Sequence, residues 1–207
     1  MATGDTEQLL GRVAGGDDAA RDQLLERYRR RLRRMVAVRF DVRLAARVDP
    51  SDVVQETLAE AAALLDRYLR ERPLPFYPWL RQMAQRRLIE LHRRHVLARR
   101  RTVTREEAAD GLPDRSAVGL ADRLLGRHSS PSAHLHRQER RERVRAALAV
   151  LPEREREVLV LRILEGLPTR EAAAVLGTSE VAVRSRQVRA LERLRALLAP
   201  DLLEGAP

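Results

Sequence analysis

Residues 184 to 189, Arg-Ser-Arg-Gln-Val-Arg, set three guanidinium groups beside a hydroxyl and a small apolar side chain. In a helix each residue advances about 100°. If Val183, Ala190 and Leu191 point inward, Ser185, Val188 and Arg189 point outward, flanked by Arg184 and Arg186. Guanidinium groups on such a face bind phosphates or grip guanine edges bidentately, and Val188 suits a thymine methyl. The same pattern also fits an ordinary helical hairpin with a solvated basic face.

A second grouping lies nearer the N-terminus. Asp52, Gln55 and Glu56 have the i, i+3, i+4 spacing that lets one helix face offer their oxygens to arginines of a partner helix, a charge-steered contact. A plain amphipathic helix with an acidic first turn, favoured by the helix dipole, has the same spacing. Further on, Phe76, Tyr77 and Trp79 sit among Pro73, Pro75 and Pro78, followed by Arg81, Arg86, Arg87, Arg93 and Arg94. Aromatic faces can hold unstacked bases while arginines take the phosphates. The same rings can instead plug a core, and for Trp79 the core is favoured.

Catalytic chemistry has no comparable grouping. His92 and His95 have a spacing that metal ligands use, but only Glu90 accompanies them and Arg93 and Arg94 would repel a cation. His128, His134 and His136 stand in or beside a polar linker. A metal-dependent site would need Asp49, Asp52 and Glu56 to converge with His92. The sequence holds no cysteine, no glycine-rich phosphate loop and no Ser-His-Asp order. The expectation is a binding protein rather than an enzyme, with no catalytic residue, no metal and no cofactor.

Apolar residues recur at helical spacing almost throughout, and no stretch alternates like a strand. The spacing predicts helices near 5–14 and 17–40, with Gly15 and Gly16 between them and Asp17 or Asp18 as a cap. Ser51 is the expected cap of a helix reaching about Arg70, in which Val53, Val54, Thr57, Leu58, Ala61, Leu64 and Leu65 share a face. After the prolines a helix runs to His95 with Leu80, Met83, Ala84, Leu88 and Leu91 inward. From about 99 to 136 the chain is polar and carries a Ser-Ser-Pro-Ser cluster, and only Leu120, Leu124 and Leu125 could make a short amphipathic turn. That is linker composition. Helices are predicted again at 137–150, 153–165, 169–176 and 180–198. Thr169 and Ser179 are the expected caps of the last two, and Gly177 supplies the left-handed residue between them. Ala173 is small where the pair must cross, and Leu176, Val183, Ala190 and Leu191 can fill the space between, which is helix-turn-helix spacing. The predicted fold is all-α: two small helical domains, 5–98 and 137–200, joined by a flexible linker over 99–136.

Composition agrees. Aromatic residues are only 3% of the chain, so the cores must be built from Leu, Val and Ala, which suits helical bundles. Net charge is +10 and all 40 basic side chains are arginine, which predicts an acidic partner, nucleic acid first. A solvated charge arising from biased composition is the plainer reading. No apolar run approaches a membrane span, and MATGDTEQLL lacks the basic-then-apolar order of a signal peptide, so the expected location is the cytoplasm.

Residues 147–177, with the helix that follows, resemble the promoter −35-binding domain of sigma factors. The resemblance rests on Leu151, Pro152, Glu165, Gly166, Leu167, Ala173, Gly177, Val183, Arg184, Ser185 and Arg186. It implies that Arg184, Ser185, Val188 and Arg189, with Arg186 beside them, read the −35 element, and that Thr169 and Arg170 touch backbone phosphates. Two-component response regulators carry a similar helix-turn-helix, so the first domain decides. There, residues 49–68 resemble the helix with which sigma factors grip the clamp helices of RNA polymerase, on Asp52, Val53, Val54, Gln55, Glu56 and Thr57. Core-polymerase contacts are implied for Asp52, Val53, Gln55 and Glu56. Residues 76–95 resemble the promoter-melting and −10 region, on Trp79, Leu80, Ala84, Leu88, Ile89, Leu91, Arg93 and Arg94. That resemblance implies −10 or melting roles for Phe76, Tyr77, Trp79, Arg81, Arg86, Arg87, Arg93 and Arg94.

Larger sigma factors carry an extra folded domain where this chain has a linker, which points to the extracytoplasmic-function group. In that group the linker threads toward the RNA exit path, and a plain spacer stands beside that reading. Four positions depart from the family: Gln187 where an apolar residue is usual, Pro168 at the start of the first helix of the pair, Arg86 in place of Asn and Glu90 in place of Asp. The implied function is a sigma factor that binds core RNA polymerase and directs initiation by recognising −10 and −35 elements. Its implied partners are core RNA polymerase, promoter DNA (duplex at −35, single-stranded at −10) and an anti-sigma factor where one exists, with no membrane. The alternatives are a stand-alone helix-turn-helix regulator and, more weakly, a protein-interaction adaptor.

Overall fold

The computed structural model describes residues 3–40, 48–99, 114–125 and 134–203, and all regular structure among them is helical. The chain divides into two compact units, one ending at Arg105 and the other starting at Glu106.

The first unit holds α1 (Thr3–Ala14), α2 (Asp18–Arg39), α3 (Pro50–Ala63), α4 (Leu65–Glu71) and α5 (Phe76–Arg99). Helices α2, α3 and α5 pack on one another, while α1 lies on α2 and touches α4. Gly16 turns the chain between α1 and α2 at φ +85, a backbone that glycine adopts without strain. Asp17 then caps α2 by accepting the Ala20 N–H at 2.9 Å, as the sequence predicts. At α3 the cap is Asp49 rather than Ser51: its carboxylate accepts the Ser51 N–H at 2.7 Å. Pro50 explains the shift, because proline suits the first helical turn, where an N–H has no partner anyway. The helix expected to run unbroken to Arg70 breaks at Leu64, which lies exposed instead of inward. Leu10, Leu24, Leu32, Met35, Leu65 and Leu80 fill the core. Tyr28, Tyr68, Phe76, Tyr77 and Trp79 close one end with ring centroids 4.6–5.8 Å apart. Burial pushes the Tyr68 phenol up to about 12, and its hydroxyl donates to the Leu74 carbonyl at 3.1 Å.

The second unit holds α6 (Asp114–Leu125), α7 (His134–Val150), α8 (Glu153–Leu159), α9 (Thr169–Leu176) and α10 (Glu180–Leu203). Helix α8 runs on into a π-helical turn, Val160–Leu164, where the sequence predicts plain helix to 165. Residues 114–125 also differ from the expected extended linker, since α6 packs on α7 and on the π turn. The cause is the run Val158–Leu161, which is apolar on every side of the helix and must be covered all round. Leu120 and Ala121 are fully buried in α6, Gly119 faces a Leu164 methyl, and Arg123 donates to the Ile163 carbonyl at 2.6 Å.

The helix-turn-helix is α9 and α10. Gly177 sits left-handed at φ 59, and Ser179 caps α10 by accepting the Ala182 N–H at 3.1 Å. Thr169 makes no capping bond: Pro168 holds the cap position with extended backbone, and Thr169 is the first helical residue. Val183 and Ala190 are buried as predicted, but Leu191 is 38% exposed and Leu194 takes the inward place. Angle explains it, since Leu194 lies about 40° from Ala190 around the helix and Leu191 about 100°.

The turn gives a direct test. Nothing stands within 4 Å of a Cβ added at Gly177, so Gly177→Ala should lose only the left-handed backbone cost, about 1–2 kcal/mol. Gly177→Asn should lose less, because Asn tolerates that conformation. Thermal unfolding of the full chain measures both, and equal losses would place the cost outside the backbone.

Candidate nucleic-acid interface

On α10, Arg184, Ser185, Val188 and Arg189 are exposed, and Arg186 is half-buried. Val188 is 54% exposed although it is apolar, so this exposed face carries a methyl-bearing side chain among its guanidinium groups. Arg184 leans on Glu180 at 3.5 Å, whereas Arg170 and Arg189 pair with no carboxylate among the described residues. Arg170 is exposed in the first turn of α9, and Thr169 beside it is half-buried. These side chains share one unit, with Arg170 and Thr169 at the start of one helix and the others along the next.

Gln187 faces the other way. Its Oε1 accepts from Arg162 Nε at 3.2 Å, and Arg162 Nη1 also donates to the Leu167 carbonyl. A polar residue is therefore accommodated on the inward border of α10 because the π turn supplies its donor. Arg162 is absent from the expected site residues, and its position just before Ile163-Leu164-Glu165-Gly166 was the available signal.

The first unit sorts its expected residues into two groups. Asp52, Gln55 and Glu56 are exposed on α3, but Val53 is only 1% exposed and props the helix from within, so it presents nothing to a partner. An open groove between α2 and α3 is lined by Leu25, Leu58, Ala59 and Ala62, with Asp22, Glu26 and Glu56 beside Arg27 and Arg29, so both signs of charge border it. Glu56 also accepts from Arg87 Nη1, and Glu60 accepts from Arg87 Nη2 at 2.7 Å. Burial alone would lower the Arg87 pKa, but the Glu60 and Glu56 carboxylates outweigh it and hold it above its ordinary value.

Helix α5 corrects more. Phe76 and Tyr77 are buried in the aromatic cluster, so neither offers a face to a base. Trp79 is only half-buried, with its ring 4.6 Å from Tyr68, so it joins the aromatic cluster without being enclosed by it. Arg81 is 5% exposed and engaged within the domain, which removes it from phosphate contact. Tyr77 explains part of this packing, since the Arg31 guanidinium lies 3.7 Å from its ring centre. Arg86, Arg93 and Arg94 remain exposed, with Arg94 bonded to Glu90, and Arg87 is half-buried against α3. Among the described residues no group of three or more His, Asp or Glu side chains gathers as metal ligands would.

Residues 24–98 match the family described as Sigma-70 region 2, and residues 147–196 match Sigma-70, region 4. The chain belongs to the sigma-70 family. Several of its relatives are named extracytoplasmic-function (ECF) sigma factors. The ECF RNA polymerase sigma factor SigD of Mycobacterium tuberculosis is 30% identical over 192 residues, covering 91% of this chain and 82% of SigD. RNA polymerase sigma-H factor of Pseudomonas aeruginosa is 31% identical over 199 residues, 96% of each chain. CnrH of Cupriavidus metallidurans is 33% identical over 199 residues, 95% of this chain and 96% of CnrH. A structure of CnrH in complex with the cytosolic domain of CnrY superposes with a TM-score of 0.52 at 28% identity, covering 93% of this chain and 96% of that one.

Sigma factors direct RNA polymerase to promoters, and the pairing of regions 2 and 4 in one chain favours that function over a stand-alone regulator. The sigma factor's α9 and most of α10 lie inside the region 4 match, and α3 and most of α5 inside region 2.

The cap of α3 sets a pH dependence. The Ser51 N–H holds the Asp49 carboxyl below its ordinary 3.8, helped by the Ser51 side chain and the Arg33 charge. A depressed folded pKa means that the stabilisation is complete above the unfolded value and is lost as pH falls through the folded one. Asp49→Asn keeps a capping oxygen but cannot titrate. The variant should therefore lose less stability than the parent as pH falls below about 4, read by urea unfolding at stepped pH. Parallel curves would show that Asp49 does not contribute to the acid limb.

Proposed function

We propose that this sigma factor binds core RNA polymerase through the exposed face of α3, with Asp52, Gln55 and Glu56 as its acceptors, and places α10 in the major groove of the −35 element. In this reading Arg184, Ser185, Val188 and Arg189 read bases, with Arg186 at the margin. Arg170 and Thr169 hold phosphates at the start of α9. Arg86, Arg93 and Arg94 on α5 track the −10 strand, while Phe76, Tyr77 and Arg81 support that helix from inside. Residues 5–98 and 137–200 are the working domains, with α6 attached to the second. The protein carries out no catalytic step of its own and acts in the cytoplasm beside the polymerase. CnrH forms a complex with the cytosolic domain of CnrY, and that complex supports an anti-sigma factor, where one exists, as a third partner of this chain.

The observation that supports this reading most directly is the exposed set Arg184, Ser185, Val188 and Arg189 on α10 of a helix-turn-helix matched by region 4. Selection of promoters from a randomised −35 library, transcribed with core polymerase, tests it. An arginine bidentate to guanine contributes about 1–3 kcal/mol of discrimination, whereas a phosphate contact carries no base information. Arg189→Ala should relax selection at one position. Arg170→Ala should weaken all promoters alike and flatten the salt dependence by about one unit. Unchanged profiles in both would reject the placement of α10.

Core binding has its own test. Asp52→Arg and Glu56→Arg should each abolish assembly with core polymerase while the chain stays folded, since both side chains are exposed. Arg87→Ala is the control: it removes the internal ion pair of Glu56 but leaves the carboxylate in place, and should assemble normally. Assembly lost equally in all three variants would show that fold, not contact, was disturbed.

A further inference from the structure

The −35 reading depends on how α10 is turned about its own axis, and one side chain outside the helix-turn-helix holds that setting. Arg162 lies in the π turn, half-buried. Its Nε donates to Gln187 Oε1 at 3.2 Å and its Nη1 donates to the Leu167 carbonyl, immediately before Pro168 and α9. A single planar guanidinium thus ties the π turn to the start of α9 and to the middle of α10. The fork of an arginine is rigid, so two simultaneous bonds fix direction as well as distance.

Gln187 is well placed to transmit that restraint. Around α10 it lies about 40–60° from the buried Val183 and Ala190, and about 60° and 100° from Arg184 and Val188 on the reading face. It therefore stands on the border between the buried and exposed sides. A shift there turns the arginines against the groove, and base contacts tolerate only a few tenths of an ångström before the hydrogen bond weakens.

We propose that Arg162 and Gln187 are positioning residues for −35 recognition, setting base preference through the orientation of α10 without touching DNA. The inference rests on the reading that α10 enters the major groove. The full-length sigma factor, assembled with core polymerase, is tested on the randomised −35 library as Gln187→Met, Arg162→Met, the double variant and Gln187→Glu. Arg189→Ala serves as the reference for direct base contact.

Each single Met variant should change the preference between bases at a −35 position by about three- to tenfold, the range that one hydrogen bond carries. The double variant should change it no further than the larger single, because both remove the same bond. Gln187→Glu keeps the acceptor and should restore the parental profile. Gln187→Met removes only a half-buried amide, so it carries the test even if Arg162→Met unfolds in a thermal melt. A uniform loss across promoters with an unchanged profile overturns the proposal, as does a double variant equal to the product of the singles. If Arg189→Ala shifts the profile and Gln187→Met does not, only the positioning role fails. If neither shifts it, the major-groove reading fails with it.

Discussion

The run Val158–Leu164 must be enclosed, and the second unit is arranged around that requirement. Val158, Leu159, Val160, Leu161 and Leu164 are all buried, and successive residues of a helix point about 100° apart. No single neighbour can cover them. Helix α10 packs on α8, α6 and α9 pack on the π turn, and α7 supports α6 and α10. Each fully buried Val or Leu stabilises by about 1.5–3 kcal/mol relative to exposure, so the enclosure outweighs any surface contact in the unit. The orientation of α9 and α10, and with it the direction of the exposed arginines of α10, follows from how they close this box. Arg162 belongs to the same run but keeps its polar head at the edge, where Gln187 and the Leu167 carbonyl satisfy it.

Arginine does several unlike jobs in this protein, and burial separates them. Arg12 with Asp17, Arg27 with Asp5 and Arg72 with Glu7 bind α1 and its following turn to the rest of the first unit. Exposed pairs of this kind are screened by solvent, so they fix where charges sit more than they add stability. Arg81 and Arg31 are absorbed by the core and the aromatic cluster. Arg86, Arg93, Arg170 and Arg189 stay in solvent. The formal charge of +10 is therefore not spread evenly over possible partners. Only the solvent-facing subset is available to nucleic acid.

Local signals were legible in the sequence wherever a single residue decides the backbone. Gly177, Ser179 and Asp17 do what their types require, and the helix-turn-helix follows from them. Legibility failed where the answer lay in tertiary contact. The stretch containing α6 does place Leu120, Leu124 and Leu125 at helical spacing, but polar, proline-bearing sequence flanks it on both sides, and what it packs against is the uncovered side of Val160–Leu164, some 40 residues further along. Phe76, Tyr77 and Arg81 have the composition of a nucleic-acid surface, yet the Tyr28 and Tyr68 rings claim that end of α5 for the core. Ser51 lost its capping role to Asp49 because a proline stands between them. Composition picks out candidate residues, but only packing says which of them face solvent.

The two surfaces of the first unit are joined by Arg87, which reaches from α5 to Glu56 and Glu60 on α3. At first sight this conflicts with Glu56 serving a partner, because the carboxylate is already paired. Exposure resolves the conflict: the Glu56 side chain is 59% exposed while Arg87 is 26% exposed. The arginine is the anchored member and Glu56 the solvated one. A pair with one well-hydrated member contributes little, and Glu60 still holds the other arm of the guanidinium at 2.7 Å if Glu56 turns away. A carboxylate accepts through two oxygens with about four lone-pair sites, so Glu56 can also take a second cation without releasing the first. The ion pair therefore leaves Glu56 open to solvent rather than sequestering it, and Glu60 keeps α3 and α5 joined whichever partner Glu56 accepts.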